Sequence, residues 1–96
     1  MRVAEIDWVK ALGNYVSLHL GKKSLLLRET VSAMDQRLAP HGFVRIHRST
    51  LVNVQRVTEL RSLTNGEFSV TLADGTLLKL GRGYREALDQ LTGRRL

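Results

Sequence analysis

The sequence predicts a mostly β domain, a compact stack of antiparallel sheets with one short internal helix and a short C-terminal helix. Three observations support this fold class. Apolar and polar residues alternate over most of the chain, which is the period of strands. In the second half, the pairs Asn65-Gly66 and Asp74-Gly75 separate apolar runs and have the chemistry of hairpin turns. Only two short stretches show helical spacing of apolar residues.

Strands and turns alternate in the first half of the chain. Residues 6–9 predict the first strand, and Gly13-Asn14 predicts a turn after it. Residues 15–20 alternate strictly, so Val16, Leu18 and Leu20 are expected on one face and the intervening residues on the other. Further strands are expected at residues 24–27, 43–47 and 51–54.

The two helices are predicted from spacing and from their end signals. Residues 31–38 carry apolar side chains at helical spacing, with Thr30 as the N-cap and Pro40 beyond the end. Residues 84–91 show the same spacing, and Gly93 is expected to end that helix.

The segment between the helices ends in a predicted meander. Asn-Gly and Asp-Gly supply the positive φ that tight hairpin turns require. Three antiparallel strands are therefore expected at residues 57–63, 67–72 and 76–80.

Length and composition bound the class of protein. The 96 residues suffice for one domain with one modest core, and no repeat or Pro-rich linker divides residues 1–96. The chain has no Cys, which excludes disulfides, thiolate zinc sites and Cys nucleophiles. No apolar run approaches the roughly 20 residues that span a bilayer, and the N-terminus lacks the apolar stretch of a signal peptide. We expect a cytoplasmic domain without membrane contact.

The charge is strongly basic, with 15 Lys and Arg against 9 Asp and Glu and a net charge of +6. A surplus of cations lowers the free energy of approach to phosphate and so favours a polyanionic partner. A merely soluble basic protein has the same composition, and composition alone leaves both interpretations open.

Catalytic and metal-binding patterns are missing from the sequence. His19, His41 and His47 lack the paired helical spacing of a zinc site. Neither a Walker sequence nor a Gly-x-Ser-x-Gly elbow occurs. We expect no enzyme activity, no metal, no cofactor and no small-molecule substrate.

The most informative segment is residues 43–53, in which two apolar strand pieces bracket His47-Arg48-Ser49. Arg48 offers a planar fork of donors that fits guanine O6 and N7, or a phosphate. His47 and Ser49 can donate to phosphate oxygens beside it. A solvated turn whose Arg pairs with a nearby carboxylate explains the same residues, so local chemistry leaves both interpretations open.

A second candidate segment is Gly81-Arg82-Gly83-Tyr84-Arg85, where the last strand meets the C-terminal helix. Glycine on both sides of Arg82 allows close backbone approach, and unpaired N–H groups at a helix N-terminus attract anions. Arg85 is expected in the first helical turn, where the macrodipole favours negative charge, so this cation suggests another use. A plain strand-to-helix turn with exposed cations is the alternative.

The remaining candidates lie in the first two turns. Asn14 can pair with adenine N6 and N7, or simply favour the turn. Lys22-Lys23 and Arg28 add charge at the next loop, as non-specific phosphate contacts or as a solvated tip. Loops on a rigid scaffold are where recognition residues usually lie.

Residues 6–15, 43–53 and 80–84, taken together, resemble the LytTR domain, the output module of the LytR/AlgR type of bacterial response regulator. The three matches occur in the family's order and spacing and cover almost the whole chain. In one position the chain departs from the family, which usually has Ser where this sequence has Gly81. A hydroxyl that donates to phosphate or caps the next helix is therefore missing.

This resemblance implies a fold of stacked antiparallel sheets whose loops enter successive major grooves on one side of bent double-stranded DNA, in the control of transcription. It implies that Asn14, Arg48 and Arg82 touch base edges, and that Asn53 organises a loop. It also implies an effector part of a longer regulator and a second copy on a repeated site. Phosphate contacts are implied for His47, Ser49 and Arg85, and also for Lys10, Tyr15 and Lys22.

Two other functions remain open from the sequence. An RNA-binding or single-strand-binding β module needs exposed aromatics on a sheet face for stacking. The five aromatics are scattered, at Trp8, Tyr15, Phe43, Phe68 and Tyr84. A protein-interaction or dimerisation domain is the second alternative, and it predicts binding that barely changes with salt.

Overall fold

A computed structural model describes residues 2–93 of the chain and confirms the mostly β antiparallel architecture. The elements of these residues follow one another in the order β1 (Trp8–Leu12), β2 (Tyr15–Leu20), β3 (Lys23–Leu27), α1 (Val31–Leu38), β4 (Phe43–His47), β5 (Thr50–Asn53), β6 (Val57–Ser62), β7 (Phe68–Leu72), β8 (Leu77–Leu80) and α2 (Ala87–Gly93). Short 3-10 turns link several of them.

The strands form two antiparallel sheets. The first has the strand order β3-β2-β1-β5-β4, and the second has the order β6-β7-β8. The register places Trp8 of the central strand opposite His19 on one side and opposite Val52 on the other. The second sheet is the meander that the turn residues predict.

The two hairpin turns of the meander differ from each other. Asn65 and Gly66 both have positive φ, 67° and 77°, as the sequence predicts for a tight turn. In the other turn positive φ is found at Gly75 (91°) and not at Asp74. The Asp74 carboxylate instead accepts the Thr76 N–H at 3.0 Å. This backbone hydrogen bond lowers the pKa of Asp74 because it stabilises the charged form.

The internal helix begins as predicted, and the C-terminal helix does not. The Thr30 side chain accepts the Ala33 N–H at 3.1 Å and so caps α1. The prediction that helix α2 already includes Tyr84 and Arg85 is wrong, because the Tyr84 N–H closes a tight 3-10 turn onto the Gly81 carbonyl. The predicted end at Gly93 coincides with the last described residue. Neither of the described helices is long and apolar enough to cross a membrane.

Two clusters of buried residues, rather than one, form the core of the described chain. Strands β4 and β5 contribute to both clusters, and all four residues of β5 are buried. One cluster lies between the first sheet and α1 and contains Ile6, Val9, Val16, Leu18, Met34, Leu38, Phe43 and Leu51. The other joins the two sheets and α2 and contains Val44, Ile46, Val52, Val54, Val70, Leu72, Leu80, Ala87 and Leu91.

An aromatic pair covers the first sheet beside the second cluster. The Trp8 and His19 rings stack with centroids 4.0 Å apart and planes at 7°. Burial lowers the pKa of His19, and the charge of Lys10 lowers it further, against an opposing effect of Asp7. A neutral imidazole results, which stacks on the indole without the cost of desolvating a charge.

Buried Asn53 organises the loop after β5, as the family resemblance implies. Its side-chain amide donates to the Ile6 carbonyl at 3.0 Å, and its side-chain oxygen accepts the Gln55 N–H at 3.0 Å. These two bonds tie the N-terminal segment to the loop between the two sheets.

We predict that Asn53→Ala lowers the free energy of unfolding by about 2 kcal/mol, because it leaves the Ile6 carbonyl and the Gln55 N–H without partners. Urea denaturation measures the difference. The control is Gln55→Ala, which alters an exposed side chain in the same loop and should change the free energy by less than about 0.5 kcal/mol. Equal effects of both substitutions would contradict the role of Asn53.

Candidate nucleic-acid interface

The strand register brings the turn after β1 and the turn after β4 to the same end of the first sheet. Lys10 pairs with Thr50, the first residue of β5. One residue further along β1, the Ala11 N–H donates to the Ser49 carbonyl at 2.8 Å. Asn14 and Arg48 therefore lie in neighbouring turns.

A bulge in β4 brings the turn after β8 to this end as well. Arg45 pairs with Leu51 and His47 pairs with Thr50, so two residues of β4 oppose one residue of β5. The Ile46 carbonyl within the bulge accepts the Gly81 N–H from the second sheet at 2.9 Å. This hydrogen bond places the residue before Arg82 against the strand that leads into Arg48.

Ring packing reinforces the junction between these two turns. The His47 and Tyr84 rings lie with centroids 6.4 Å apart and planes at 27°. Arg48 follows one of these rings and Arg82 precedes the other by two residues. We call residues 12–15, 47–50 and 81–85, which these contacts bring together, the loop end of the molecule.

The opposite end, the distal end, is held together by carboxylates. The Asp7 carboxylate accepts the Gly21 N–H at 2.8 Å and pairs with the Arg56 guanidinium at 3.2 Å. Glu5 and Asp74 line the same depression as these groups. Three of the nine acidic residues, Glu5, Asp7 and Asp74, thus lie at the end away from Arg48 and Arg82.

The loop end contains seven of the nine residues that the resemblance implies as DNA contacts. These are Asn14, Tyr15, His47, Arg48, Ser49, Arg82 and Arg85. Lys10 borders the loop end on β1, where it pairs with Thr50. Lys22 is far from it, because it lies in the turn between β2 and β3 at the distal end. The length of β2, about 17 Å at roughly 3.4 Å per residue step, separates it from Tyr15. Its phosphate contact stays a prediction without support from the other loops.

The cations of the loop end are not neutralised by the protein. Within residues 2–93, Arg48, Arg82 and Arg85 have no carboxylate oxygen within 4.0 Å. Nearby Glu67 pairs with Lys79 at 3.6 Å instead. The alternative in which Arg48 pairs with a nearby carboxylate is therefore wrong for the described part of the chain. Its guanidinium donors face solvent, since the residue is exposed.

Two groups of Ser49 contact one ring nitrogen of His47. The Ser49 N–H donates to His47 Nδ1 at 3.3 Å. The Ser49 hydroxyl lies 3.0 Å from the same nitrogen, and the tautomer of the ring decides whether the hydroxyl or Nδ1 donates. An unprotonated Nδ1 leaves the proton of the neutral ring on Nε2. The Ser49 hydroxyl already has a hydrogen-bond partner in His47, and this contact does not test whether the hydroxyl also binds a phosphate. The phosphate contact implied for Ser49 stays a prediction.

Two further cations, Arg28 and Arg45, border the loop end and are not among the contacts predicted from the sequence. Leu27 pairs with Val16, so Arg28 at the end of β3 lies beside Tyr15 and not beside Lys22. The half-buried Arg45 donates to the carbonyls of His47 and Arg48 from the preceding strand. Counting residue pairs along the hairpin from the turn at Gly21 would have placed Arg28 opposite Tyr15. An arginine within the otherwise apolar strand 43–46 was the available signal for Arg45.

Gly81, the departure from the family pattern, is in an ordinary extended conformation with φ −76° and ψ 158°. A Cβ atom there would lie 3.5 Å from His47 Cδ2 and 3.7 Å from Tyr84 Cδ2, which are normal van der Waals distances. Nothing in the backbone requires glycine at this position, so the serine typical of the family would fit.

We predict that Gly81→Ser raises the free energy of unfolding by about 0.5–1 kcal/mol, because serine restricts the unfolded chain and can cap the following 3-10 turn. A thermal melt should show a rise in Tm of roughly 2–8 °C for a domain of this size.

Gly42→Ser is the matched control for that substitution. No atom lies within 4 Å of a Cβ at Gly42, but its φ of +87° disfavours any side chain. This variant should melt below the parent protein. A lower Tm for Gly81→Ser as well would contradict the predicted fit beside His47.

The basic loop end on this β scaffold is a surface suited to a polyanionic partner. The family model for the LytTr DNA-binding domain matches residues 1–93, and the chain belongs to this family. The resemblance in the three sequence segments is thereby confirmed.

Relatives and a solved structure agree with this assignment. The chain is 21% identical over 91 residues to the sensory transduction protein LytT of Bacillus anthracis, covering 95% of this chain and 37% of the relative. It is 28% identical over 68 residues to the transcriptional regulatory protein LytR of Staphylococcus aureus, covering 71% and 28%. It thus spans about a third of the length of these curated relatives. A LytTr DNA-binding domain from Bacillus cereus matches with a TM-score of 0.86 at 17% identity, over 97% of this chain and 85% of that one.

Proposed function

We propose that this domain binds specific sequences in double-stranded DNA with its loop end and thereby controls transcription. The observation that supports this most strongly is the placement of Arg48 and Arg82 in adjoining turns, both exposed and without carboxylate partners in residues 2–93. A guanidinium fork matches guanine O6 and N7, which duplex DNA presents in the major groove. Family membership supports the same partner.

The three turns divide the contacts with bases among them. Arg48 and Arg82 each read a guanine, and Asn14 reads an adenine through N6 and N7. The three turns project separately from the loop end. They enter successive major grooves on one side of a duplex that bends toward the protein.

Phosphate contacts supply most of the affinity. Lys10, Tyr15 and Arg85 flank the base-reading side chains, and His47 donates from Nε2. Arg28 extends the same surface beyond Tyr15. Neutralising phosphates releases counterions, so affinity should fall steeply with salt.

The arrangement of aromatic residues disfavours the single-strand and RNA alternative. Trp8 stacks on His19, Phe43 is buried, and Tyr84 packs near His47. Of the aromatics in residues 2–93, Tyr15 alone is exposed, at 42%. One exposed ring does not form the stacking platform that such modules use.

The relatives support a proposal for the role of this domain within a larger regulator. We assign the domain to the cytoplasm as the effector part of a longer bacterial regulator, with a second copy on a repeated site and no enzymatic step. The relatives named LytT and LytR are about three times as long as the matched region, which leaves room for a sensory part in those proteins.

We predict that Arg48→Ala weakens binding to a selected duplex site by roughly 5- to 150-fold more than binding to random duplex, because a bidentate arginine–guanine pair discriminates by about 1–3 kcal/mol. Fluorescence anisotropy titrations of both duplexes at two salt concentrations measure the ratio.

Two lysine variants serve as controls in the same titrations. Lys10→Ala removes a phosphate contact, so it should weaken both duplexes alike and reduce the slope of log K against log salt by about 0.9. Lys23→Ala removes an exposed cation at the distal end and should change neither value. If Arg48→Ala and Lys10→Ala behave alike, the division between base and phosphate contacts is wrong.

We also predict that the complex bends its DNA. Duplexes that carry the site at different distances from the end should migrate differently in a circular-permutation gel, because loops in successive grooves draw the duplex toward the protein. Mobility that is independent of site position would contradict contact with more than one groove.

A further inference from the structure

Arg45 has a pattern of contacts that DNA binding alone does not explain. Its Nε donates to the His47 carbonyl at 3.3 Å, and its Nη2 donates to the Arg48 carbonyl. One guanidinium therefore holds two successive carbonyls of the turn that carries Arg48. The pairing of β4 with β5 shifts register at the bulge and ends with the pair His47 and Thr50, and Arg48 lies in the turn beyond that pair.

We propose that Arg45 is a positioning residue that fixes the Arg48 turn for base recognition without touching DNA itself; this inference rests on the function proposed above. A two-residue turn on the protein surface otherwise has freedom that binding would have to remove. By satisfying both carbonyls, Arg45 orders the turn before DNA arrives. The preference for guanine over other bases then increases, because two parallel hydrogen bonds from Arg48 to guanine tolerate little displacement of the side chain.

The surroundings of Arg45 distinguish it from the arginines that are proposed to contact DNA. The residue is half-buried, whereas Arg48, Arg82 and Arg85 are exposed. It lines a cleft between α1 and the segment before α2, together with Asp35 and Glu86. Neither carboxylate lies within 4.0 Å of the Arg45 guanidinium, but negative charge along this cleft disfavours the approach of a phosphate.

The turn is also held from its other side. The Ser49 N–H donates to His47 Nδ1, and the Ser49 hydroxyl contacts the same nitrogen, so the imidazole and the guanidinium hold successive residues around Arg48. The Arg45 contribution depends on geometry, because a planar fork reaches two carbonyls at once and an ammonium group on a flexible stem does not.

Two substitutions distinguish positioning from charge. Arg45→Lys keeps the charge and loses the fork, and Arg45→Met loses both while keeping an unbranched stem. Binding to the selected duplex and to random duplex is measured at two salt concentrations, alone and in an Arg48→Ala background. Urea denaturation confirms that each variant is folded at the assay temperature.

We expect both variants to lower the ratio of selected to random affinity roughly tenfold, as for one lost charged hydrogen-bonding group. For Arg45→Lys, the affinity for random duplex and the salt slope should stay within about twofold of the parent. In the Arg48→Ala background, neither variant should lower the ratio further, since the side chain that Arg45 positions is gone.

Recovery of the parent ratio by Arg45→Lys would overturn the inference in favour of a charge effect. Losses that add to that of Arg48→Ala would overturn it in favour of an independent contact. In both cases Arg48→Ala alone still lowers the ratio, so the proposed function survives. If the parent protein prefers no duplex, or if Arg48→Ala leaves the ratio unchanged, the proposed function fails and the inference fails with it.

Discussion

The backbone hydrogen bond from the Gly81 N–H to the Ile46 carbonyl joins the two sheets at the end where the candidate contacts lie. It can form because β4 is the edge strand of the first sheet, so backbone groups on its outer side are open to a partner from the second sheet. Without this bond the turn that carries Arg82 would have no fixed relation to the turn that carries Arg48. The proximity of these two turns and the ring packing of His47 on Tyr84 both depend on it.

The packing of the core makes this end a rigid platform. Strands β4 and β5 are covered on both faces, by α1 on one side and by the second sheet and α2 on the other. Because β4 and β5 are buried in this way, the turn between them resists displacements that would misalign a contact with a base. The distribution of charge complements the packing. The Asp7 carboxylate binds Arg56 and the Gly21 N–H at the distal end, whereas the exposed arginines of the loop end have no carboxylate partner within residues 2–93.

Much of the fold could be predicted because its signals are local. Alternation over residues 15–20 gave strand β2 with Val16 and Leu18 buried, and Thr30 caps α1 as its position suggests. The Asn65-Gly66 pair gave the turn of the meander. Helix α2 was placed too early because spacing alone does not distinguish a 3-10 turn from the first turn of an α-helix.

The candidate site was predictable residue by residue and not as an arrangement. The chemistry of Arg48, Arg82 and Asn14 is visible in the sequence, but whether they share one end depends on strand register and on the bulge. The position of Arg28 depends on the pairing of β3 with β2. The position of the Arg45 side chain depends on its hydrogen bond to the Arg48 carbonyl. Lys22 illustrates the opposite case, because a lysine in a loop suggests phosphate binding whichever end of the sheet the loop occupies.

Mapping the DNA-bound surface by amide chemical shifts tests the central claim most directly. A selected duplex is titrated into the labelled domain, and shifts are followed residue by residue. The account predicts that the large changes fall in residues 12–15, 47–50 and 81–85, with the turns around Gly21 and Gly75 almost unchanged. Large changes at the distal end with a silent loop end would contradict it.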